Sequence, residues 1–385
     1  MDANRVPQLD GLRGTAIALV ILFHYGPLFK AGHILDAIAL RGWVGVDLFF
    51  VMSGFLIGGI VIANKNADNL FSVFYARRVL RIFPLYYMVL AAVWTAIWMG
   101  LVQHLESDNV FIYLAYSQNI FVAFSHDYGM LPLQPTWSLA VEEHFYLVLP
   151  LLVFILPRRF LIYPLIAGVI IATACRVAAY LVPFEYPRDF AYFFTICRID
   201  ELFYGVLLAA IVRDERVRRK ITKNRIWFYA LAVALGAAFL ILSHFDAQFS
   251  EWALNADNDS GSGRVLTSTI GLTLLGPMFL CVVILSVLHE GSWLSILMKF
   301  GPLRWIGVRT YAVYLFHMPA LFLVYHLSRH FGHAGMTIPI FALALTLVSA
   351  SLSWALIEAP LMKVGHRYKY SRRPDAALVA EPAQA

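Results

Sequence analysis

The sequence predicts an all-α, polytopic membrane protein with about ten transmembrane helices and both termini in the cytoplasm. Three observations carry that expectation. The 385 residues are 60% hydrophobic and only 14% charged, against about 25% charged in soluble domains, and mean hydropathy is +0.70. Apolar runs close to the ~20 residues that cross a bilayer core recur from end to end. Basic residues, finally, crowd into alternate loops. A soluble multidomain enzyme, a disordered chain and a disulfide scaffold are set aside. Cys175, Cys197 and Cys281 all lie inside apolar runs, so neither a disulfide framework nor a metal site is expected.

The runs place spans at 14–30, 43–63, 82–102, 138–156, 160–182, 190–212, 226–244, 265–288, 309–327 and 337–358. Each must be helical, because lipid offers backbone groups no water, and no barrel-like alternation appears. Polar Met1–Gly14 precedes the first run and no small-residue cleavage site follows it, so that run is expected to be a retained helix. Between the third and fourth spans, 110–124 is apolar but short and carries Ser117, Gln118 and Asn119. It reads as a re-entrant or interfacial segment.

Of the 30 Lys and Arg, 23 fall in the tails and every second loop, five in the other loops, and Arg176 and Arg198 inside spans. The basic side includes Arg77, Arg78 and Arg81 and a cluster of seven from Arg213 to Arg225. Such a bias marks the cytoplasmic face. An acidic outer loop with Asp246, Glu251, Asp257 and Asp259 is expected to be exposed. The organisation expected is one membrane domain over 1–362 and a short, basic, disordered cytoplasmic tail over 363–385. Short basic loops give no support to nucleic-acid binding.

Ionisable groups inside spans are costly and mark either function or a buried pair. Here they include His24, Asp47, Glu142, Glu143, His144, Arg176, Arg198, Asp200, Glu201, His317 and Glu358. His24 lies eleven residues beyond Arg13, roughly 16 Å along a helix and close to three whole turns, so the two share a face. These groups are expected in a slab from mid-membrane outward, where one water-accessible cavity can hold them. The plainer readings stand beside this one. A lone histidine is more often hydrogen-bonded packing, Arg198 with Asp200 or Glu201 can be a neutralising pair, and Trp137 can be an interfacial anchor.

Several blocks then resemble one family. Asp10-Gly-Leu-Arg13-Gly with His24-Tyr25, Gly45-Val-Asp-Leu-Phe-Phe-Val-Met-Ser-Gly-Phe55 and Phe74-Tyr-Ala-Arg-Arg-Val-Leu-Arg-Ile-Phe-Pro84 open the series. Thr136-Trp-Ser-Leu-Ala-Val-Glu-Glu-His-Phe-Tyr146, Arg198-Ile-Asp-Glu-Leu-Phe-Tyr-Gly205, Tyr311-Ala-Val-Tyr-Leu-Phe-His-Met-Pro319 and Glu358-Ala-Pro360 complete it. Their order resembles the acyltransferase-3 family of integral-membrane O-acyltransferases, many of which modify sugar hydroxyls. The short C-terminal tail resembles the stand-alone form, without a fused extracytoplasmic domain. His144 stands where most relatives carry Gln and is given no role.

The resemblance implies an enzyme of the cytoplasmic (inner) membrane that moves an acyl group, most readily acetyl, to a hydroxyl of a carbohydrate or glycolipid. The donor is acyl-CoA, used as a substrate; no permanently bound cofactor, metal or nucleic acid is implied, and no oligomeric state. Arg13, Arg78 and Arg81 are expected to hold the phosphates of CoA by charge-assisted hydrogen bonds. His24 is expected to act as general base, with Glu142 orienting its ring or balancing its charge. Asp47, Glu143, Arg198, Asp200 and His317 are expected to line the substrate cavity. Ser53 lacks a visible base in the sequence, which argues against it as a nucleophile. A transporter or permease is the alternative; Gly276-Pro277 breaks the eighth span, but no repeated half accompanies it.

Overall fold

A computed structural model describes residues 6–101, 109–182, 184–245, 265–330 and 337–371. The acidic loop with Asp246, Glu251, Asp257, Asp259 and Arg264 lies outside the described residues, as do Arg5 and the end of the tail beyond Ser371. Among the described residues all regular elements are helical. The long ones are α1 (Pro7–Tyr25), α2 (Gly45–Ala63), α3 (Leu70–Trp98), α4 (Trp137–Ile155), α5 (Ile162–Leu181), α6 (Thr195–Ile211), α7 (Arg225–Phe245), α8 (Leu272–Val287), α9 (Thr310–His330) and α10 (Thr337–Ser353).

Nine helical stretches among the described residues are long and apolar enough to cross a membrane. The tenth expected span, α6, has 17 residues and carries Arg198, Asp200 and Glu201. Its predicted start at 190 is displaced by a break at Phe194, whose extended backbone separates α6 from the short helix Pro187–Phe193.

Several boundaries move for local reasons. α1 begins at Pro7, where proline suits the first helical turn, so Arg13 lies well inside the helix. α3 begins at Leu70 rather than 82, because Leu70, Val73 and Phe74 supply a buried stripe. Arg77, Arg78 and Arg81 therefore project from a helix instead of a loop. The segment expected to be re-entrant forms two short helices, Val110–Leu114 and Gln118–Ser125. α10 continues through a wider π turn, Trp354–Glu358, into Ala359–Gly365.

Small residues let helices approach closely, as helix packing in lipid favours. A Cβ on Gly54 of α2 would lie 1.9 Å from the Leu202 carbonyl oxygen of α6, and one on Gly205 2.1 Å from that of Val51. The α2–α6 crossing thus depends on both glycines. Residues 363–371, expected to be disordered, are instead tied to α3. The Asn69 side chain donates to the Lys369 carbonyl (2.9 Å) and accepts from the Ser371 amide (2.9 Å), and Arg77 donates to the Tyr368 carbonyl.

Arg77, Arg78 and Arg81 lie in the first half of α3. The described residues between α3 and α4 follow its other end, where His126 meets Asp189 of the segment between α5 and α6.

Candidate functional site

A cavity of about 770 Å³ opens among α1, α2, α3, α4 and α9. Its basic wall is Arg13, Arg77, Arg78 and Arg81, its acidic groups are Glu142, Glu143 and Glu358, and Ser53, Tyr146, Ser138 and Tyr314 add hydroxyls. Arg13 sits 3.5 Å from Asp10, one turn earlier on α1. Arg78 lies 5.7 Å from the Tyr146 ring centre. Neither Arg78 nor Arg81 reaches a carboxylate within ion-pair distance among the described residues.

Glu142 and Tyr146 are four residues apart on α4 and so face the same way. The Tyr146 hydroxyl donates to Glu142 Oε2 (3.1 Å) and shares a 2.7 Å hydrogen bond with Ser53 Oγ of α2. Ser53 therefore has a route to a carboxylate through one tyrosine, which the sequence did not reveal. The i, i+4 spacing of Glu142 and Tyr146 was the signal available for it.

His24 lies elsewhere. Its Nδ1 is 2.9 Å from the Val20 carbonyl. A carbonyl can only accept, so Nδ1 carries the proton and Nε2 is the basic nitrogen. His317 repeats the arrangement on α9: Nδ1 donates to the Tyr314 carbonyl (2.6 Å). The rings are 5.0 Å apart at 61°, and the buried His317 Nε2 has no hydrogen-bond partner among the described residues. Among the described contacts the His24 ring meets Phe23 and His317 and not Glu142, with which pairing was expected. Tyr314 joins the regions, lining the cavity while its ring lies 5.5 Å from His317.

Asp47, Arg198, Asp200 and Glu201 form a third, sealed group, all with 0% exposure. Arg198 Nη2 is 2.6 Å from Asp47 Oδ1 and 3.3 Å from Glu201 Oε2. Its guanidinium packs against the rings of Tyr192 (4.8 Å), Phe50 (5.5 Å) and Trp137 (5.7 Å). Asp200 turns the other way and takes a forked pair from Arg176 (2.6 and 3.1 Å). Arg176 also donates to Thr273 (2.9 Å).

The expectation of one shared cavity is therefore only partly met. Arg13, Arg78, Arg81, Glu142 and Glu143 line it, whereas His24, Asp47, Arg198, Asp200 and His317 are not among its lining residues. A helical pattern gives depth and face for each residue, but not which helices become neighbours. Among the described residues no group of three or more His, Cys, Asp or Glu side chains is placed to hold a metal.

Chemically, the cavity offers several cations beside carboxylates, hydroxyls and aromatic rings, with two tautomer-fixed imidazoles beyond Tyr314. Comparison with known proteins gives the arrangement a context. The chain is 28% identical over 375 residues to the peptidoglycan O-acetyltransferase OatA of Listeria monocytogenes, covering 94% of this chain and 56% of the relative. It is 28% identical over 384 residues to the putative peptidoglycan O-acetyltransferase YrhL of Bacillus subtilis, covering 96% and 56%. A putative O-acetyltransferase of Staphylococcus aureus (strain COL) is 28% identical over 388 residues, covering 94% and 58%. The chain spans about half the length of these curated relatives. No solved structure matches it. The acyltransferase domain that defines the acyltransferase-3 family matches residues 6–358, and the chain belongs to that family.

Proposed function

We propose that this member of the family is a membrane O-acyltransferase that moves an acyl group, acetyl first among candidates, from cytoplasmic acyl-CoA to a carbohydrate hydroxyl. The relatives named for peptidoglycan O-acetylation support a carbohydrate acceptor. The observation that carries the reading is the cavity itself. Three expected arginines from two helices, Arg13, Arg78 and Arg81, line one chamber, and Tyr314 leads from it toward His317 and His24.

In this reading the arginines hold the phosphates of CoA at the end that the positive-inside bias marks as cytoplasmic. Both termini then lie in the cytoplasm, and the protein belongs in the cytoplasmic membrane. The pantetheine arm follows the cavity toward Tyr314. His24 Nε2 accepts the proton of the acceptor hydroxyl as its oxygen attacks the thioester carbonyl. The carbon–sulfur bond breaks, and the proton passes from imidazolium to the departing thiolate. General-base contributions of this kind are typically about 10²–10⁴-fold. Glu142 acts within the cavity, where it fixes the Tyr146–Ser53 pair, and His317 is the neighbour of His24.

Purified protein in nanodiscs, supplied with labelled acetyl-CoA, tests the assignment. His24→Ala is expected to lower acyl transfer by about 10² or more while acetyl-CoA affinity is unchanged. Near-wild-type turnover in that variant refutes His24 as the base. Solute flux without loss of thioester points to a transporter instead.

A further inference from the structure

At the end of the bundle opposite the arginines, two connectors distant in sequence build a second polar group. His126 follows the helix Gln118–Ser125, and Asp189 opens the helix Pro187–Phe193. The His126 Nδ1 contacts Asp189 Oδ2, and the Tyr128 hydroxyl donates to the same carboxylate at 3.2 Å. Asp189 is 2% exposed, whereas the His126 side chain is 32% exposed. The carboxylate can only accept, so the proton sits on Nδ1 and the other nitrogen, Nε2, is left as an acceptor for an outside partner.

The surroundings are aromatic and acidic. The Tyr186 ring lies parallel to the imidazole at 5.0 Å and 10°, and Tyr128 meets it edge-on at 5.5 Å. Phe184 and Phe190, packed 4.5 Å apart, lie beside this pair in the same connector. His126 holds a left-handed backbone (φ 56), a costly state for a non-glycine residue unless its surroundings fix it. Among the described residues, the charged groups on the segments that carry His126 and Tyr186 are Asp127, Glu185, Asp189 and Arg188. Three acids against one arginine disfavour an anionic headgroup. A neutral polyol fits better: its C–H faces pack on tyrosine rings and its hydroxyl donates to imidazole.

We propose that His126, oriented by Asp189 and flanked by Tyr128 and Tyr186, is a binding subsite for sugar units of the acceptor glycan on the extracytoplasmic face. The subsite rests on the transfer reading above and extends it to the acceptor side. His126 is here a binding group and takes no proton in the transfer.

The test uses the full chain. A strain lacking the gene is complemented with the wild type, His126→Gln, Asp189→Asn, Tyr186→Leu or Tyr186→Phe. Base-released acetate on its envelope glycans is measured at matched membrane protein levels, and each purified variant is titrated with acetyl-CoA. The Gln, Asn and Leu variants are expected to restore a tenth or less of the wild-type acetate, and Tyr186→Phe at least half. All are expected to bind acetyl-CoA within twofold of wild type. Restoration above half by both His126→Gln and Tyr186→Leu overturns the subsite. So does a fall in acetate matched by a fall in acetyl-CoA affinity, because the group then merely supports the fold. Tyr186→Leu, at a half-buried position, decides the matter if Asp189→Asn fails to accumulate. A wild type that restores no acetate defeats the transfer reading, and the subsite with it.

Discussion

Two arginine groups in one bundle handle charge in opposite ways. Arg198 and Arg176 have no exposed surface, and each meets carboxylates at 2.6 Å. Arg78 and Arg81 line a large cavity and reach no carboxylate at ion-pair distance among the described residues. Taking a charge from water costs several kcal/mol unless a partner is supplied. The sealed group supplies its partners from the protein itself. The cavity group, kept near solvent, leaves that place to an anion from outside. Under the proposed reading the same side chain is structural where its neighbours neutralise it and binds the acyl donor where they do not.

The largest expected effect breaks the sealed side. Arg198→Leu leaves Asp47 and Glu201 buried without their cation, and Asp47→Asn removes the negative charge nearest Arg198, leaving it only Glu201 at 3.3 Å. Stripping one partner from a buried pair costs about 3–5 kcal/mol. Both variants should therefore lose monodisperse protein in fluorescence-detected size exclusion. Replacing both members of the neighbouring pair, Arg176→Leu with Asp200→Leu, should recover more folded protein than either alone, since no stranded charge remains. If Arg198→Leu stays fully folded and loses only acyl transfer, the division between structural and binding arginines is wrong.

The cavity side should respond in the reverse manner. Arg78→Ala and Arg81→Ala are expected to keep the wild-type elution profile, because neither removes a protein ion pair. Each should raise the KM for acetyl-CoA tenfold or more, in line with about 1.5–3 kcal/mol for a hydrogen bond to a charged group. Steady-state kinetics on matched samples separates this from a loss of kcat. Unfolding of either variant would place these arginines with Arg198.

The same division explains what the sequence made legible. Hydropathy reports the solvent, so the spans and their alternation could be read directly. Charged residues inside spans could also be flagged, and one of them, Glu142, shares a chamber with Arg13, Arg78 and Arg81, which the family resemblance singled out. Which of several partners a charge takes could not be read, because it depends on which helices touch. Arg198 takes Asp47, 151 positions away, and the nearby Glu201, but not Asp200. His24 faces His317, not Glu142. His126 and Asp189 sit in two connectors 63 positions apart, and neither stands inside an expected span, so no rule about misplaced charge drew attention to them. Helix starts shifted where polar residues ride on an otherwise buried stripe, as Arg77 to Arg81 do on α3.

The smallest expected effect sharpens the cavity side from within. Ser53, Tyr146 and Glu142 form a chain of hydroxyl, hydroxyl and carboxylate, the kind of connection that can activate a nucleophile. The direct-transfer reading gives Ser53 no covalent role. Ser53→Ala then removes one neutral hydrogen bond, worth about 0.5–1.5 kcal/mol, and turnover should fall by no more than about tenfold. An acyl-enzyme on Ser53 would make the same change nearly abolish turnover. It would also leave an acylated peptide, detectable by mass spectrometry after brief exposure to acetyl-CoA without acceptor. Tyr146→Phe separates the cases further. It cuts the link between Ser53 and Glu142 while keeping the ring beneath Arg78, so direct transfer predicts a loss as mild as that of Ser53→Ala. A covalent route predicts a larger loss, because the Tyr146 hydroxyl that orders Ser53 beside Glu142 would be gone.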